Sequence, residues 1–155
     1  MSRRTISSAV RVAGVGLHLG RDCDLTFRPA GSGAGLSFCR VDLADRPVIP
    51  ARVEEVTATE RRTQLGHGAV AIHTVEHVLS AVYALEIDDL VIEMSGPEPP
   101  ILDGSAAPFL DALVGAGICE QPGEPEYLTL TEPLRGIDGS SVYEAHPAGG
   151  LSLDV

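Results

Sequence analysis

The chain has no tryptophan, no lysine and few aromatic residues. Its 155 residues include 3 Phe and 3 Tyr, and all 11 basic residues are arginine. The 22 acidic residues give a formal net charge of −11, spread along the chain rather than collected in a tail. A surface that follows nucleic-acid phosphates needs clustered positive charge. We therefore expect no nucleic-acid partner.

Cysteines and long apolar runs are also scarce. Cys23, Cys39 and Cys119 are widely spaced and include no C-x-x-C pair, which disfavours a disulfide framework or a cysteine-built zinc site and favours small core residues. The longest apolar stretches, such as VLSAVYALEI, are shorter than the ~18–20 uncharged residues of a membrane span. MSRRTISSAVRVAG lacks the apolar block of a signal peptide. These features predict a globular protein of the cytoplasm.

Strand-like segments fill the first 60 residues. These segments contain β-branched residues or alternate between apolar and polar residues, and Gly, Pro and Asp separate them. They are TISSAVRVAGVGLH, CDLTFRPA, GLSFCRVDL and IPARVEEVTAT. They favour an antiparallel arrangement. Residues 73–86 change to a helical period, and DDLVIEMSG at 88–96 returns to strand. The apolar stripe of the predicted helix consists of Val75, Val78, Leu79, Val82 and Leu85.

A Pro-rich turn and a second helix follow in GPEPPILDGSAAPFLDALVGAGI. Asp103 or Ser105 is predicted as its N-cap, with Pro108 in the first turn. The helix is predicted to end near Gly115 or Gly117. Its predicted inward-facing residues are Phe109, Leu110, Leu113 and Val114.

The composition changes again after Ile118. CEQPGEPE is typical of a linker, and three short strand-like segments follow it: YLTLTEPL, SVYEAHP and LSLDV. A few short strands without a helix are marginal as a separate fold. We therefore expect a first α+β domain over residues 1–120, a linker over 121–126 and the opening strands of a truncated second domain over 127–155. Unpaired strands after residue 126 predict aggregation at this length.

The pentapeptide HTVEH at 73–77 fits H-x-x-E-H, a zinc-peptidase pattern. Two histidines of one helix bind the metal there, and the carboxylate acts as general base. Catalytic zinc usually takes three protein ligands, and the sequence offers no good third one. The glutamates considered lie in the predicted linker or in strand-like segments: Glu120, Glu124, Glu132 and Glu144. The purely structural alternative is a helix-start His73, a half-buried His77 and a solvated Glu76.

Four segments, in order, resemble a known family. They are GVGLHLG at 14–20, TVEHVLSAVYAL at 74–85, IDDLVIE at 87–93 and PEPPILDGSAAPFLDALVGAGI at 97–118. Together they resemble the N-terminal domain of UDP-3-O-acyl-N-acetylglucosamine deacetylase, a zinc hydrolase of lipid A synthesis, and LSLDV resembles the opening of that family's second domain. The resemblance implies an α+β fold, with an antiparallel sheet packed on two helices, as the first of two similar domains.

The resemblance also implies roles for the residues of TVEH. His77 is implied as a zinc ligand and Glu76 as the general base, whereas His73 is not a ligand. In the family, a His and an Asp in a second-domain H-K-x-x-D motif complete the zinc site, and a further histidine is the general acid. This sequence has no H-K-x-x-D, and His146 in EAHPAG belongs to neither motif. The implied cofactor is Zn²⁺, with one of three protein ligands present, and the implied substrate is UDP-3-O-acyl-N-acetylglucosamine.

Two further segments are implied beside the site. GVGLHLG contributes Leu17 and His18 as candidates next to the metal ligands or the substrate, and the alternative for His18 is a structural histidine in a glycine-rich turn. RRTQLG at 61–66 contributes Thr63, with a solvated turn as the alternative. Leu19 stands where the family usually has a small polar residue, and Asp103 is a weaker catalytic candidate than it is a helix cap.

Three functions are compatible with these patterns. The first is a zinc deacetylase, incomplete and inactive at this length. The second is a zinc peptidase that uses His73 and His77. The third is a non-catalytic interaction module with the same first-domain fold.

Overall fold

The computed structural model describes residues 2–152 and 154 of the chain. These residues form two compact units that divide between Pro125 and Glu126. The described residues contain two α-helices, α1 (Glu76–Ala84) and α2 (Ala107–Ala116), together with short strands, which confirms the predicted α+β class. The strands are β1 (Arg3–Ile6), β2 (Val10–Val15), β3 (Asp22–Pro29), β4 (Leu36–Arg40), β5 (Val48–Pro50), β6 (Val56–Ala58), β7 (Gln64–Leu65), β8 (Leu90–Met94), β9 (Ile118–Gln121), β10 (Leu134–Asp138) and β11 (Ser141–Ala145).

The largest sheet has five strands in the order β2-β3-β8-β4-β5. All its pairings are antiparallel except β4 with β8, which run parallel with Phe38 opposite Ile92. The prediction of an antiparallel arrangement is therefore wrong for this one pair. Alternation along a strand reveals which face is buried, but it carries no information about the direction of a partner strand that is distant in sequence.

One hydrophobic core contains residues from the five-stranded sheet and from both helices. Strands β3 and β8 alternate between buried and less buried positions, as expected when one face of a sheet is covered. The Phe27 ring of β3 meets the Phe109 ring of α2 edge to face, with 6.4 Å between centroids. The buried side chains of these two strands are Cys23, Leu25, Phe27, Leu90, Ile92 and Met94.

Helix α1 is shorter than the predicted 73–86. It begins at Glu76, because Thr74 adopts a left-handed backbone conformation with φ 57° that a helix does not tolerate. At the other end the chain leaves the helix after Ala84, and Glu86 is again left-handed, with φ 51°. The predicted apolar stripe is confirmed: Val75, Val78 and Val82 are fully buried, and Leu79 and Leu85 pack against the core.

Helix α2 begins after Ala106, so neither Asp103 nor Ser105 is its N-cap. Instead, Oδ1 of Asp103 accepts a hydrogen bond from the backbone N–H of Ser105, and the Ser105 hydroxyl oxygen accepts one from the N–H of Ala107. Pro108 does lie in the first turn. The helix ends at Ala116 and is followed by Gly117, whose φ of 76° suits glycine.

Two details of the predicted inward face and core differ from expectation. Phe109 and Leu113 are buried and Leu110 packs against the core, but Val114 is 57% exposed. Among the cysteines, Cys23 and Cys39 are buried as predicted, whereas Cys119 is half-buried.

Several strand predictions need correction. TISSAVRVAGVGLH divides into β1 and β2, and the segment with linker composition contributes β9, which pairs with β1. YLTLTEPL is irregular until Leu134, where β10 starts a hairpin with β11. In LSLDV, Leu151, Ser152 and Asp154 are not in a strand, and Leu153 and Val155 lie outside the described residues. None of the helices in the described part of the chain is long and apolar enough to cross a membrane.

Candidate functional site

Glu76 and His77 are the first two residues of α1, and both are half-buried. Burial of Val75 and Val78 fixes the helix against the core, so the intervening pair lies at the edge of the core. A carboxylate in the first turn also interacts favourably with the positive end of the helix dipole. Oε2 of Glu76 accepts a 3.1 Å hydrogen bond from the backbone N–H of Thr63.

The segment around Thr63 runs beside the residues that precede α1. The carbonyl oxygen of Thr63 accepts a hydrogen bond from the N–H of Val75, at 3.4 Å, in addition to the Thr63 N–H bond to Glu76. An open pocket of about 820 Å³ lies against residues 57–62, immediately before Thr63. The structure thus brings Thr63 and Glu76 together through the backbone of Thr63.

Residues 73–75 are fixed from outside the helix. The His73 N–H donates to the carbonyl oxygen of Pro97 at 2.8 Å, and the Thr74 hydroxyl donates to Oε1 of Glu98 at 2.8 Å. Thr74 is buried, and a left-handed conformation is unfavourable for a β-branched residue. These hydrogen bonds keep the chain in a conformation that Thr74 would not adopt by itself.

Glu98 is 2% exposed and was not anticipated as a site residue. Its carboxylate accepts hydrogen bonds from the backbone N–H groups of His18, at 3.0 Å, and Leu19, at 2.9 Å, as well as from Thr74. Burial acts to raise the pKa of the Glu98 carboxyl, but these hydrogen bonds outweigh burial and keep the pKa below its ordinary value. The available sequence signal was a carboxylate enclosed by prolines in GPEPP.

The GVGLHLG segment forms a turn that reaches the site through Glu98. The side chains of Leu17 and His18 are exposed, and the backbone of His18 makes the contact with the carboxylate. Leu19, which replaces a small polar residue of the family pattern, is 41% exposed. The turn is therefore linked to Thr74, two residues before Glu76, without any hydrogen bond from the His18 ring in the described part of the chain.

His73 lies before α1, in non-helical backbone. The H-x-x-E-H interpretation required His73 and His77 on one helix, and that geometry is wrong because of the left-handed Thr74. Burial is the main cause that lowers the pKa of His73, and the Arg62 guanidinium lowers it further. In the described residues, two buried side-chain nitrogens have no hydrogen-bond partner, Nδ1 of His73 and Nε of Arg62.

The donor atoms at the start of α1 fit part of a zinc site. The imidazole of His77 makes no hydrogen bond or ion pair with any described residue, so its nitrogens are available for a metal, and a carboxylate precedes it. No group of three His, Cys, Asp or Glu side chains within residues 2–152 and 154 is close enough to bind a metal ion. His146 belongs to the other unit, 3.9 Å from a carboxylate oxygen of Glu144. The start of α1 thus places a half-buried imidazole, His77, next to a half-buried carboxylate, Glu76.

Comparison with known proteins matches residues 3–155 to the family described as LpxC, UDP-3-O-acyl N-acetylglycosamine deacetylase. A UDP-3-O-acyl-N-acetylglucosamine deacetylase of Bdellovibrio bacteriovorus is 42% identical over 153 residues, which are 99% of this chain and 51% of that protein. The same enzyme of Anaeromyxobacter dehalogenans is 43% identical over 152 residues, 98% of this chain and 49% of that protein.

A bifunctional enzyme LpxC/FabZ of Chlorobaculum tepidum is 47% identical over 132 residues, which are 85% of this chain and 28% of that protein. The chain thus spans about half the length of the deacetylases that it matches, and less of the bifunctional enzyme. Since the family match covers nearly all of its residues, the chain belongs to the LpxC family of UDP-3-O-acyl N-acetylglycosamine deacetylases.

Proposed function

We propose that this chain is the first part of a zinc-dependent deacetylase. The enzyme hydrolyses the N-acetyl group of UDP-3-O-acyl-N-acetylglucosamine and releases acetate and a free amine, at the committed step of lipid A synthesis. Family membership supports this proposal. The observation that carries it is the Glu76 carboxylate, oriented by Thr63 and adjacent to the uncommitted imidazole of His77.

Glu76 is proposed as the general base. Its Oε2 is fixed by the Thr63 N–H, while Oε1 has no hydrogen-bond partner among the described residues and can accept a proton. When bound, zinc polarises the acetamide carbonyl and acidifies the attacking water. Glu76 takes the proton of that water as the carbon–oxygen bond forms, and the amine then leaves with a proton from the general acid.

His77 is proposed as one of three zinc ligands. The other two, from H-K-x-x-D, and the general acid lie outside these 155 residues in this proposal, with residues 1–120 as the first domain, 121–126 as a linker and 127–155 as the start of the second domain. A catalytic zinc needs about three protein ligands to stay bound. We therefore expect the 155-residue chain alone to be inactive, and a cytoplasmic location remains a prediction.

The experiment uses the natural gene product that contains this chain. Bound zinc is measured by elemental analysis, and activity by release of acetate from the UDP-sugar. Glu76→Gln keeps the shape but removes the base, so it should retain zinc and lose about 10²–10⁴-fold in kcat. His77→Ala should lose both zinc and activity.

His73→Ala is the matched control for His77→Ala. It removes the histidine that the peptidase interpretation requires, and we expect its zinc content to equal that of the wild type. A wild-type protein that binds zinc but releases no acetate would refute the deacetylase proposal. Loss of zinc in His73→Ala would instead restore His73 as a ligand.

A further inference from the structure

Glu98 has no role in the chemistry proposed above, yet its carboxylate is almost completely buried. A buried charge is unfavourable unless hydrogen bonds replace the lost water. Both oxygens of Glu98 are occupied, by the N–H groups of His18 and Leu19 and by the hydroxyl of Thr74. The carboxylate therefore joins two segments that are more than 50 residues apart in sequence.

The turn that contains His18 is shaped to admit the Glu98 carboxylate. A Cβ atom added to Gly16 would lie 2.5 Å from Oε2 of Glu98 and 3.1 Å from its Cβ. Only glycine fits at this distance, since real Cβ contacts do not come so close. The N–H groups that follow Gly16 can thus converge on one carboxylate oxygen, as in other backbone sites for anions.

The second segment leads directly into Glu76 and His77. A left-handed conformation of a residue such as Thr74 costs on the order of 1–3 kcal/mol and persists only where the surroundings determine it. Here the Thr74 hydroxyl donates a hydrogen bond to Glu98. The residues on either side are held by backbone hydrogen bonds, His73 to Pro97 and Val75 to Thr63. The direction in which α1 starts is set at this point, because Thr74 is the last residue outside helical backbone.

We infer that Glu98 is a positioning residue for the catalytic pair. By binding the Thr74 hydroxyl against the turn of residues 16–19, Glu98 fixes the direction in which Glu76 and His77 leave the start of α1. This inference rests on the proposed function. A displacement of about 1 Å in a catalytic group can cost about 10²-fold in rate, so a loosened Thr74 should lower turnover even where zinc is bound.

The test compares three variants of the natural gene product with the wild type. Glu98→Gln removes the charge and keeps the shape, Thr74→Val removes the hydroxyl and keeps the branching, and Thr74→Ser retains the hydroxyl. We expect kcat per bound zinc to fall about 10-fold or more in Glu98→Gln and Thr74→Val, while KM changes less than about twofold because both side chains are buried. Thr74→Ser should recover most of the loss seen in Thr74→Val.

A double variant separates positioning from general destabilisation. If both residues act through one hydrogen bond, Glu98→Gln combined with Thr74→Val should lose little more kcat than either single variant. Amide hydrogen exchange, followed by mass spectrometry, should become faster at residues 73–77 in both single variants and stay near the wild-type rate in Thr74→Ser. If Glu98→Gln does not fold, the Thr74 pair provides the same comparison.

Each outcome bears on one statement. An active wild type whose kcat per zinc is unchanged in Glu98→Gln and Thr74→Val would overturn the positioning role. Unchanged exchange at residues 73–77 would overturn the link between Glu98 and Thr74. A wild-type protein without deacetylase activity would overturn the proposed function, and the exchange measurement would still decide whether Glu98 orders the start of α1.

Discussion

The backbone N–H of Thr63 donates a 3.1 Å hydrogen bond to Oε2 of Glu76, and the Thr63 side chain takes no part in it. Thr63 thus acts through its backbone. The carbonyl oxygen of Thr63 accepts a hydrogen bond from the N–H of Val75, the residue before Glu76. The backbone N–H and C=O of Thr63 thus both bind residues at the start of α1. The RRTQLG segment therefore contacts the start of α1 through the backbone of Thr63.

Thr63→Pro should lower kcat much more than Thr63→Ala does. Proline removes the N–H that orients Glu76, while alanine keeps it. Loss of one hydrogen bond to a charged group costs about 1.5–3 kcal/mol. If this whole cost raises the activation free energy, kcat falls about 10–150-fold. The measurement is kcat of the zinc-loaded natural gene product. Equal losses in the two variants would show that the side chain, not the N–H, matters.

Asp89 should make the stability of the first unit depend on acid pH. Its carboxylate is fully buried and binds Arg3 through two 2.7 Å bonds, the N–H of Gly35 at 2.7 Å and the amide of Gln121 at 2.8 Å. Burial acts to raise the pKa of Asp89, but these hydrogen bonds outweigh it and lower the pKa. The pKa of Asp89 is thus lower in the folded protein than the value of about 3.9 in the unfolded chain. The ionised carboxylate therefore stabilises the fold fully above about pH 3.9, and this stabilisation is lost as the pH falls through the folded pKa.

Asp89→Asn should therefore lower the free energy of unfolding at pH 7 by about 3–5 kcal/mol, because it leaves Arg3 without its buried anion. The measurement is the urea midpoint of unfolding at pH 7 and at pH 3, and the difference from wild type should shrink at the lower pH. Asp24→Asn is the control: it breaks the exposed Arg11–Asp24 pair, and such pairs contribute about 0–1 kcal/mol. A pH-independent difference for Asp89→Asn would contradict this account.

Local patterns predicted much of the first unit. The apolar stripe from Val75 to Leu85 follows from the period of the side chains. The end of α2 follows from the conformational freedom of Gly117. Both signals lie within short segments of the sequence. The parallel pairing of β4 with β8 and the pairing of β1 with β9 could not be predicted this way, because they depend on residues far apart in the chain. Tertiary contacts also override composition in CEQPGEPE, where β9 forms because β1 offers it a partner.

The site shows the same division. The roles of Glu76 and His77 in TVEH stay predictions from the family resemblance, and the structure adds the hydrogen bond from the Thr63 N–H to Glu76. The helical period over residues 73–86 predicts a helical Thr74, but Thr74 is left-handed and its hydroxyl binds Glu98, a contact that depends on residues far apart in the chain. A hydrogen bond between a hydroxyl and a distant carboxylate leaves no periodic signal in a sequence.

The three cysteines should differ in reactivity. Burial raises the pKa of the Cys23 thiol to about 11, so only about one molecule in a thousand carries the reactive thiolate there at pH 8. Cys39 is also buried, whereas Cys119 is half-buried in β9. Iodoacetamide at pH 8 should therefore modify Cys119 first, and Cys23 and Cys39 mainly after unfolding in urea, as read by peptide mass spectrometry. Equally fast labelling of Cys23 in the folded protein would disprove its burial.

Alanine in place of two glycines should have opposite effects on stability. At Gly16 the new Cβ would lie 2.5 Å from Oε2 of Glu98, and the carboxylate cannot retreat without losing the N–H bonds of the turn, so Gly16→Ala should cost about 1–3 kcal/mol. Gly115 is exposed in α2 with nothing within 4 Å of its added Cβ, and Gly115→Ala should stabilise by up to about 1 kcal/mol through helix propensity.

The urea midpoints of the two alanine variants, measured in the same protein, provide the comparison. Because Gly16→Ala pushes directly on Glu98, it should also speed amide exchange at residues 73–77, an effect that Gly115→Ala should not produce. If Gly16→Ala were as stable as the wild type, the turn of residues 16–19 would have to shift as a unit to admit the new Cβ. The Glu98 carboxylate would then not hold Thr74 in a fixed position.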